Sequence, residues 1–144
     1  LPWDYREQIL HYLKTEMQIL DIDTGGGEFL LSLHHPYRNT SATENYPPNI
    51  ELCQKTLLPL GIDFQLADGK GILPFEDERF DLVLNRHGDL NPEEIYRVLK
   101  PGANYLAPPY NVLPYTMRIL SVNWISKKAI WFGLRKEERL FQKL

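Results

Sequence analysis

Leu20-Asp21-Ile22-Asp23-Thr24-Gly25-Gly26-Gly27-Glu28-Phe29-Leu30 is the stretch whose reading decides the fold. A short, mostly apolar run from Met17 to Ile22 leads into three consecutive glycines, and an acid opens the apolar segment that follows. That order reads as strand, tight turn and helix. The helix, Glu28-Phe29-Leu30-Leu31-Ser32-Leu33, carries its negative charge in the first turn, where the helix dipole favours it, and Pro36 ends it. Glycine suits the turn because a side chain would block a ligand's approach and because such turns use positive φ. In an open α/β sheet, ligands bind outside the carboxyl ends of the strands, beside helix N-termini. A glycine run alone is equally consistent with a turn that binds nothing.

Working outward, Tyr5, Ile9, Tyr12 and Leu13 recur at helical spacing after Pro2 and Asp4, which predicts an amphipathic helix with Asp4 as N-cap. On the other side, Asn39 to Glu44 is a short β-prone segment, and Pro47-Pro48 opens a helix over Asn49 to Leu58 that Pro59 and Gly61 stop. Ile62-Asp63-Phe64-Gln65-Leu66 alternates as a strand and closes on Ala67-Asp68-Gly69. Phe80 to Leu84 is the next strand, ending at Asn85-Arg86-His87-Gly88. Asn91 caps a helix with Pro92 at its first position, with Ile95, Val98 and Leu99 inward, and Lys100-Pro101-Gly102 stops it. Ala103 to Ala107 supplies a fifth strand. Parallel neighbours need crossover connections, so strands alternating with helices predict an α/β Rossmann-like three-layer sandwich, a mostly parallel sheet with helices on both faces. Beyond Pro108 the pattern weakens: Met117 to Ile125 fits helix or strand, and Ala129 to Leu134 reads as strand leading into a charged terminal helix.

A length of 144 residues suits one domain, 1–144, with core motifs in 1–107 and an atypical tail in 108–144. No run approaches the ~20 consecutive apolar residues of a bilayer crossing, and nothing reads as a signal peptide. Cys53 is the only cysteine, which excludes an intrachain disulfide, fits a cytoplasmic location and suits a buried small hydrophobe. Charge is uneven: 9 basic residues face 17 acidic ones up to Tyr115, whereas Thr116 to Leu144 holds 7 against 2. Such a basic tail can touch nucleic acid, but its commoner use is a solvated face. Trp124, Trp131 and Phe132 among Lys127, Lys128 and Arg135 suit base stacking, yet aromatics that must cover a sheet are more often core. His34-His35 is no metal pair, because adjacent residues at a helix end point apart and no acid or cysteine cluster joins them.

The glycine turn gains meaning from Glu44, which ends the second strand about twenty residues later, the spacing at which an acid reaches both ribose hydroxyls of a nucleoside. A dinucleotide site wants G-x-G-x-x-G, but Leu30 stands where the third glycine belongs and Glu28 would place negative charge near a pyrophosphate. The ligand is therefore better read as one without phosphate, such as S-adenosylmethionine.

From about Trp3 to Leu106, the chain resembles the class I S-adenosylmethionine-dependent methyltransferases of the small-molecule type. Asp21 to Gly27 resembles that family's first motif, which implies that Asp21 organises the loop and the cofactor's amino group. Ala42-Thr43-Glu44 resembles the second-strand acid, with Asn45 and Tyr46 flanking the adenine. Ala67-Asp68-Gly69 resembles the third motif, in which Asp68 accepts from the adenine amino group. Leu73-Pro74-Phe75 with Phe80-Asp81-Leu82-Val83 resembles the approach to the fourth strand, and Arg97-Val98-Leu99-Lys100-Pro101-Gly102 the helix-to-fifth-strand signature. The implied cofactor set is Asp21, Asp23, Gly25, Gly26, Gly27, Glu44, Asn45, Asp68, Gly69 and Asn85. His87, where the fourth strand opens onto the cofactor, is the candidate base, although a solvent-exposed or cofactor-packing histidine is the commoner use of such a residue.

Two departures shape the alternatives. Asp23 stands where the family has glycine, close to the methionine moiety, and its charge is unfavourable there unless it points away from the carboxylate or meets the amino group. The tail lacks recognisable equivalents of the last helix and final strands, and Ala107-Pro108-Pro109-Tyr110 reads as a rigid turn. The expected function is methyl transfer to a small molecule. A non-catalytic methyltransferase-like module and an RNA methyltransferase using the basic tail are the other readings.

Overall fold

The structure, a computed structural model, describes residues 4–107. Helix α1 (Tyr5–Tyr12) starts where expected, with the Asp4 carboxylate accepting from Glu7 N at 3.0 Å. The strands are β1 (Ile19–Ile22), β2 (Thr40–Glu44), β3 (Asp63–Leu66), β4 (Phe80–Asn85) and β5 (Leu99–Leu106), and every pairing is parallel. Their order across the sheet is β3-β2-β1-β4-β5. Helices α2 (Glu28–Leu31), α3 (Pro47–Thr56) and α4 (Pro92–Val98) make three of the crossovers.

Central parallel strands are covered on both faces, so they carry apolar side chains on both. In β1, Ile19 joins the cluster formed with Tyr5, Ile9, Leu30, Cys53 and Leu57, while Leu20 and Ile22 join Leu73, Phe75, Ile95 and Val98 on the opposite face. In β4, Leu82 and Leu84 belong to the first cluster and Phe80 and Val83 to the second. Hence α1 to α3 cover one face, while α4 and the connection from β3 to β4 cover the other: the three-layer sandwich expected from the sequence.

Several boundaries differ from expectation, and three of the shifts have a clear physical cause. α2 ends at Leu31 rather than Leu33, because Leu33 N and His34 N bond to Leu30 O and Leu31 O, tightening the last turn before His34 turns at φ 53°. α3 begins at Pro47, two residues early, since prolines in a first turn lack only an N–H that would have no helical partner. β5 begins at Leu99, four residues early, and carries Pro101-Gly102 across an irregularity between Phe80 and Leu82, with Gly102 at φ 77°. His35 is buried, its Nε2 2.7 Å from Met17 O, which gives that ring a structural partner.

The connection from β3 to β4 is pinned by α4. Arg97 donates to Leu73 O and Phe75 O, both at 2.8 Å, and to the Glu94 carboxylate, which accepts from Leu73 N at 2.8 Å. On the opposite face of the sheet, Gly27 precedes α2 at φ 92°, and a Cβ there would lie 2.8 Å from the buried Leu57 Cδ2. Left-handed backbone and crowding act together, so Gly27→Ala is expected to destabilise by about 2–4 kcal/mol in urea unfolding. A change below about 0.5 kcal/mol would show that this packing is not required.

Candidate cofactor site

The strand order reverses between β1 and β4, and a crevice opens at that point outside the carboxyl ends of the strands. It is a cleft of about 310 Å³ lined by Asp23, Gly25, Glu44, Asn45, Asn49, Arg86, His87, Gly88 and Asp89. Of the residues expected from the sequence, Asp23, Gly25, Glu44, Asn45 and His87 line it directly. Asp21, Gly26, Gly27, Asp68, Gly69 and Asn85 do not.

Glu44 is only 4% exposed, yet its carboxylate sits at the cleft wall. Oε2 accepts from Gly25 N at 2.8 Å and from Asn49 Nδ2 at 3.4 Å. Oε1 accepts from Asn45 N at 2.9 Å and Tyr46 N at 3.1 Å. One carboxylate thus joins the tip of β2 to the glycine turn after β1 and to the start of α3. The turn is held from behind as well: Thr24 N donates to Thr43 O at 2.9 Å and the Cys53 thiol to Gly25 O at 3.0 Å. Gly25, at φ 72°, has no atom of the described residues within 4 Å of the place a Cβ would take, so among them its backbone faces open space.

Asp21 is 3% exposed and lies behind the turn, accepting from the Thr24 hydroxyl at 2.7 Å. Burial pushes its carboxyl up to about 7, with the Thr24 bond and the Arg86 charge opposing. Asp23 adopts φ 53°, the left-handed region that favours glycine. Its Oδ1 is buried with no hydrogen-bond partner among the described residues, and its carboxyl is pushed up to about 6 by burial first and then by Glu44, Asp68 and Asp89. Asp68 instead caps its own loop, accepting from Lys70 N at 2.9 Å. Gly69 and Gly88 pack against Asp23, where any Cβ would collide with its carboxylate.

Asn85, at the end of β4, accepts from Gly88 N at 2.8 Å and donates to Asp89 O at 3.2 Å, shaping the loop that carries His87. The His87 ring is held below its ordinary range by burial and by the Arg86 charge, so it is neutral at pH 7. Arg86 itself lies 4.2 Å over the Phe29 ring. Asn49, Arg86, Gly88 and Asp89 were not assigned from the sequence. Asn49 is recognisable only once α3 is known to begin at Pro47, which turns it back toward Glu44.

A family model described as a methyltransferase domain matches residues 20–107. The chain belongs to this methyltransferase domain family. A phthiotriol/phenolphthiotriol dimycocerosates methyltransferase of Mycobacterium tuberculosis is 35% identical over 98 residues, covering 61% of this chain and 36% of that protein. A ubiquinone/menaquinone biosynthesis C-methyltransferase of Desulfotalea psychrophila is 35% identical over 94 residues, covering 59% and 38%. The chain therefore spans little more than a third of the length of these relatives. Among solved structures, the YcgJ protein of Bacillus subtilis has a TM-score of 0.59 at 22% identity, covering 70% of this chain and 47% of that one. A SAM-dependent methyltransferase of Aquifex aeolicus has a TM-score of 0.58 at 21% identity, covering 71% and 62%. These two likenesses bear on the fold, and they agree with the five-stranded parallel sheet of this methyltransferase domain. The basic tail Thr116 to Leu144, with Trp124, Trp131 and Phe132, lies outside the described residues.

Proposed function

We propose that this chain is the cofactor-binding domain of an S-adenosylmethionine-dependent methyltransferase acting on a small organic acceptor. The observation that carries the reading is the 2.8 Å bond from Gly25 N to Glu44, which sets acid and open glycine backbone on one cleft. A carboxylate has about four acceptor sites and backbone donors take three of those on Glu44, so a ribose hydroxyl is received where it displaces the long 3.4 Å contact from Asn49. The open space over Gly25 fits a ligand drawn against the backbone. Asn45 and Asn49 offer an uncharged wall for adenine, whereas Asp68 and Gly69, which the resemblance also assigns to it, do not line the cleft, and Gly69 packs against Asp23. Asp21, Gly26, Gly27 and Asn85 shape the loops rather than touch the ligand.

When bound, the sulfonium of S-adenosylmethionine supplies an electrophilic methyl group, which leaves the chain chiefly to hold an acceptor in line with it. His87, neutral and on the cleft wall, takes the acceptor's proton as its nucleophile forms the new bond. Relatives named for phthiotriol dimycocerosates and for ubiquinone and menaquinone biosynthesis support a small organic acceptor over RNA. Among the described residues no helix is long and apolar enough to cross a membrane. A cytoplasmic location, expected from the lone cysteine, belongs to the same proposal. Isothermal titration of the full chain with S-adenosylmethionine and S-adenosylhomocysteine is expected to show binding of both in the micromolar range. No heat from either at millimolar ligand would remove this reading.

A further inference from the structure

The two ends of the cleft differ in charge. Asn45 and Asn49 line the end beside β2, and Asp23, Arg86, His87, Gly88 and Asp89 the end beside β4, where Asp89 also lies 3.5 Å from the Lys70 ammonium. A nucleoside gripped by its sugar at Glu44 therefore has a neutral wall on one side, suited to its base, and an anionic one on the other, suited to a cationic arm. Asp23 contributes most to that end: it lines the cleft, its Oδ1 has no hydrogen-bond partner among the described residues, and a carboxylate left unpaired either takes up a proton or is stabilised by a cation that pairs with it. Glu44, Asp68 and Asp89 are the charged groups acting most on it, all acidic. Arg86 and His87 share the cleft wall, but Arg86 lies over Phe29 and His87 is neutral at pH 7.

We propose that Asp23 makes the β4 end of the cleft a cation-selective subsite, favouring an adenosyl sulfonium whose arm ends in an amine alone over one whose arm also bears a carboxylate. The ammonium of such an arm meets the Asp23 carboxylate at the cleft wall, whereas a second carboxylate is forced beside it. A glycine at this position would remove most of the distinction between the two arms. The inference rests on the adenosyl-binding reading above and deepens it.

Calorimetric titration of the full chain with three probes tests it: S-adenosylmethionine, the same sulfonium lacking the carboxylate (S-adenosyl-3-methylthiopropylamine), and 5′-methylthioadenosine, whose arm is uncharged. At pH 7 the wild-type chain is expected to bind the carboxylate-free sulfonium about tenfold more tightly than S-adenosylmethionine. Asp23→Asn, which tolerates the same left-handed backbone, is expected to shrink that ratio about fivefold, and Asp23→Gly likewise, with methylthioadenosine affinity unchanged. Because the Asp23 carboxyl titrates near 6, the wild-type ratio should also shrink between pH 7 and pH 5. An equal ratio in wild type and both variants, with all three probes binding, overturns the selectivity and leaves the adenosyl site standing. Failure of all three to bind overturns both.

Discussion

Glu44→Ala is expected to lower S-adenosylmethionine affinity by about a hundredfold, roughly 2.7 kcal/mol, the largest loss of any single substitution in the cleft. Ribose hydroxyls lose a charged acceptor. The effect reaches the empty protein too, because the same carboxylate accepts from Gly25 N, Asn45 N and Tyr46 N. Each stranded donor costs about 1–3 kcal/mol where water cannot replace the oxygen, and the cleft admits water to some of them. Urea unfolding is therefore expected to show a loss of about 2–4 kcal/mol. Glu44→Gln separates the two roles, since the amide oxygen keeps one pair of acceptor sites while its NH2 group faces backbone donors. That variant is expected to lose about tenfold in affinity and to remain less stable than wild type. If Glu44→Ala binds S-adenosylmethionine within threefold of wild type, Glu44 is a brace for the turn and not a ligand contact.

Why the site was legible in part follows from what each residue needs. Gly25 and Glu44 announce themselves, because positive φ with open space above it and an acid at a strand tip are both written in residue type and spacing. Asp23 shows only as a departure; that it takes the same left-handed backbone, with a buried orphan oxygen, depends on Gly69 and Gly88 arriving from loops dozens of residues away. Asn49 and Arg86 are ordinary polar residues until the chain brings them to the cleft. The fold was more legible, since both faces of a parallel strand must be apolar and caps such as Asn91, accepting from Glu93 N at 3.2 Å, are local. Boundaries slipped where a tertiary partner intervened: β5 starts at Leu99 because Phe80 is there to pair with it. The Arg97 motif and the Leu73-Pro74-Phe75 motif look independent in sequence, and their bond through the two carbonyls gives them a shared cause.

Asp21→Asn is expected to flatten the acid-to-neutral stability profile. In the folded chain the Asp21 carboxyl titrates near 7, whereas its ordinary value is 3.8. Between those values the folded chain keeps a proton that the unfolded chain releases, so stability is fully present below about pH 4 and is lost as pH rises through 7. About three pH units at roughly 1.4 kcal/mol each bound the loss at about 4 kcal/mol, which relaxation around the charged group reduces to about 2–4 kcal/mol. The amide stays neutral throughout and its oxygen can still accept from the Thr24 hydroxyl, so the variant escapes this loss. Asp23 titrates near 6 in the same direction, and the variant retains that smaller slope. Urea unfolding at pH 4.5, 6 and 8 should show the variant gaining about 2–4 kcal/mol on wild type across the series. Parallel curves would mean that Asp21 ionises without penalty. A gain at pH 8 would mean that the natural chain keeps a carboxyl that destabilises it at neutral pH, directly behind the glycine turn. Stability does not account for retaining such a group, whereas electrostatic service to a cationic ligand in the adjoining cleft does.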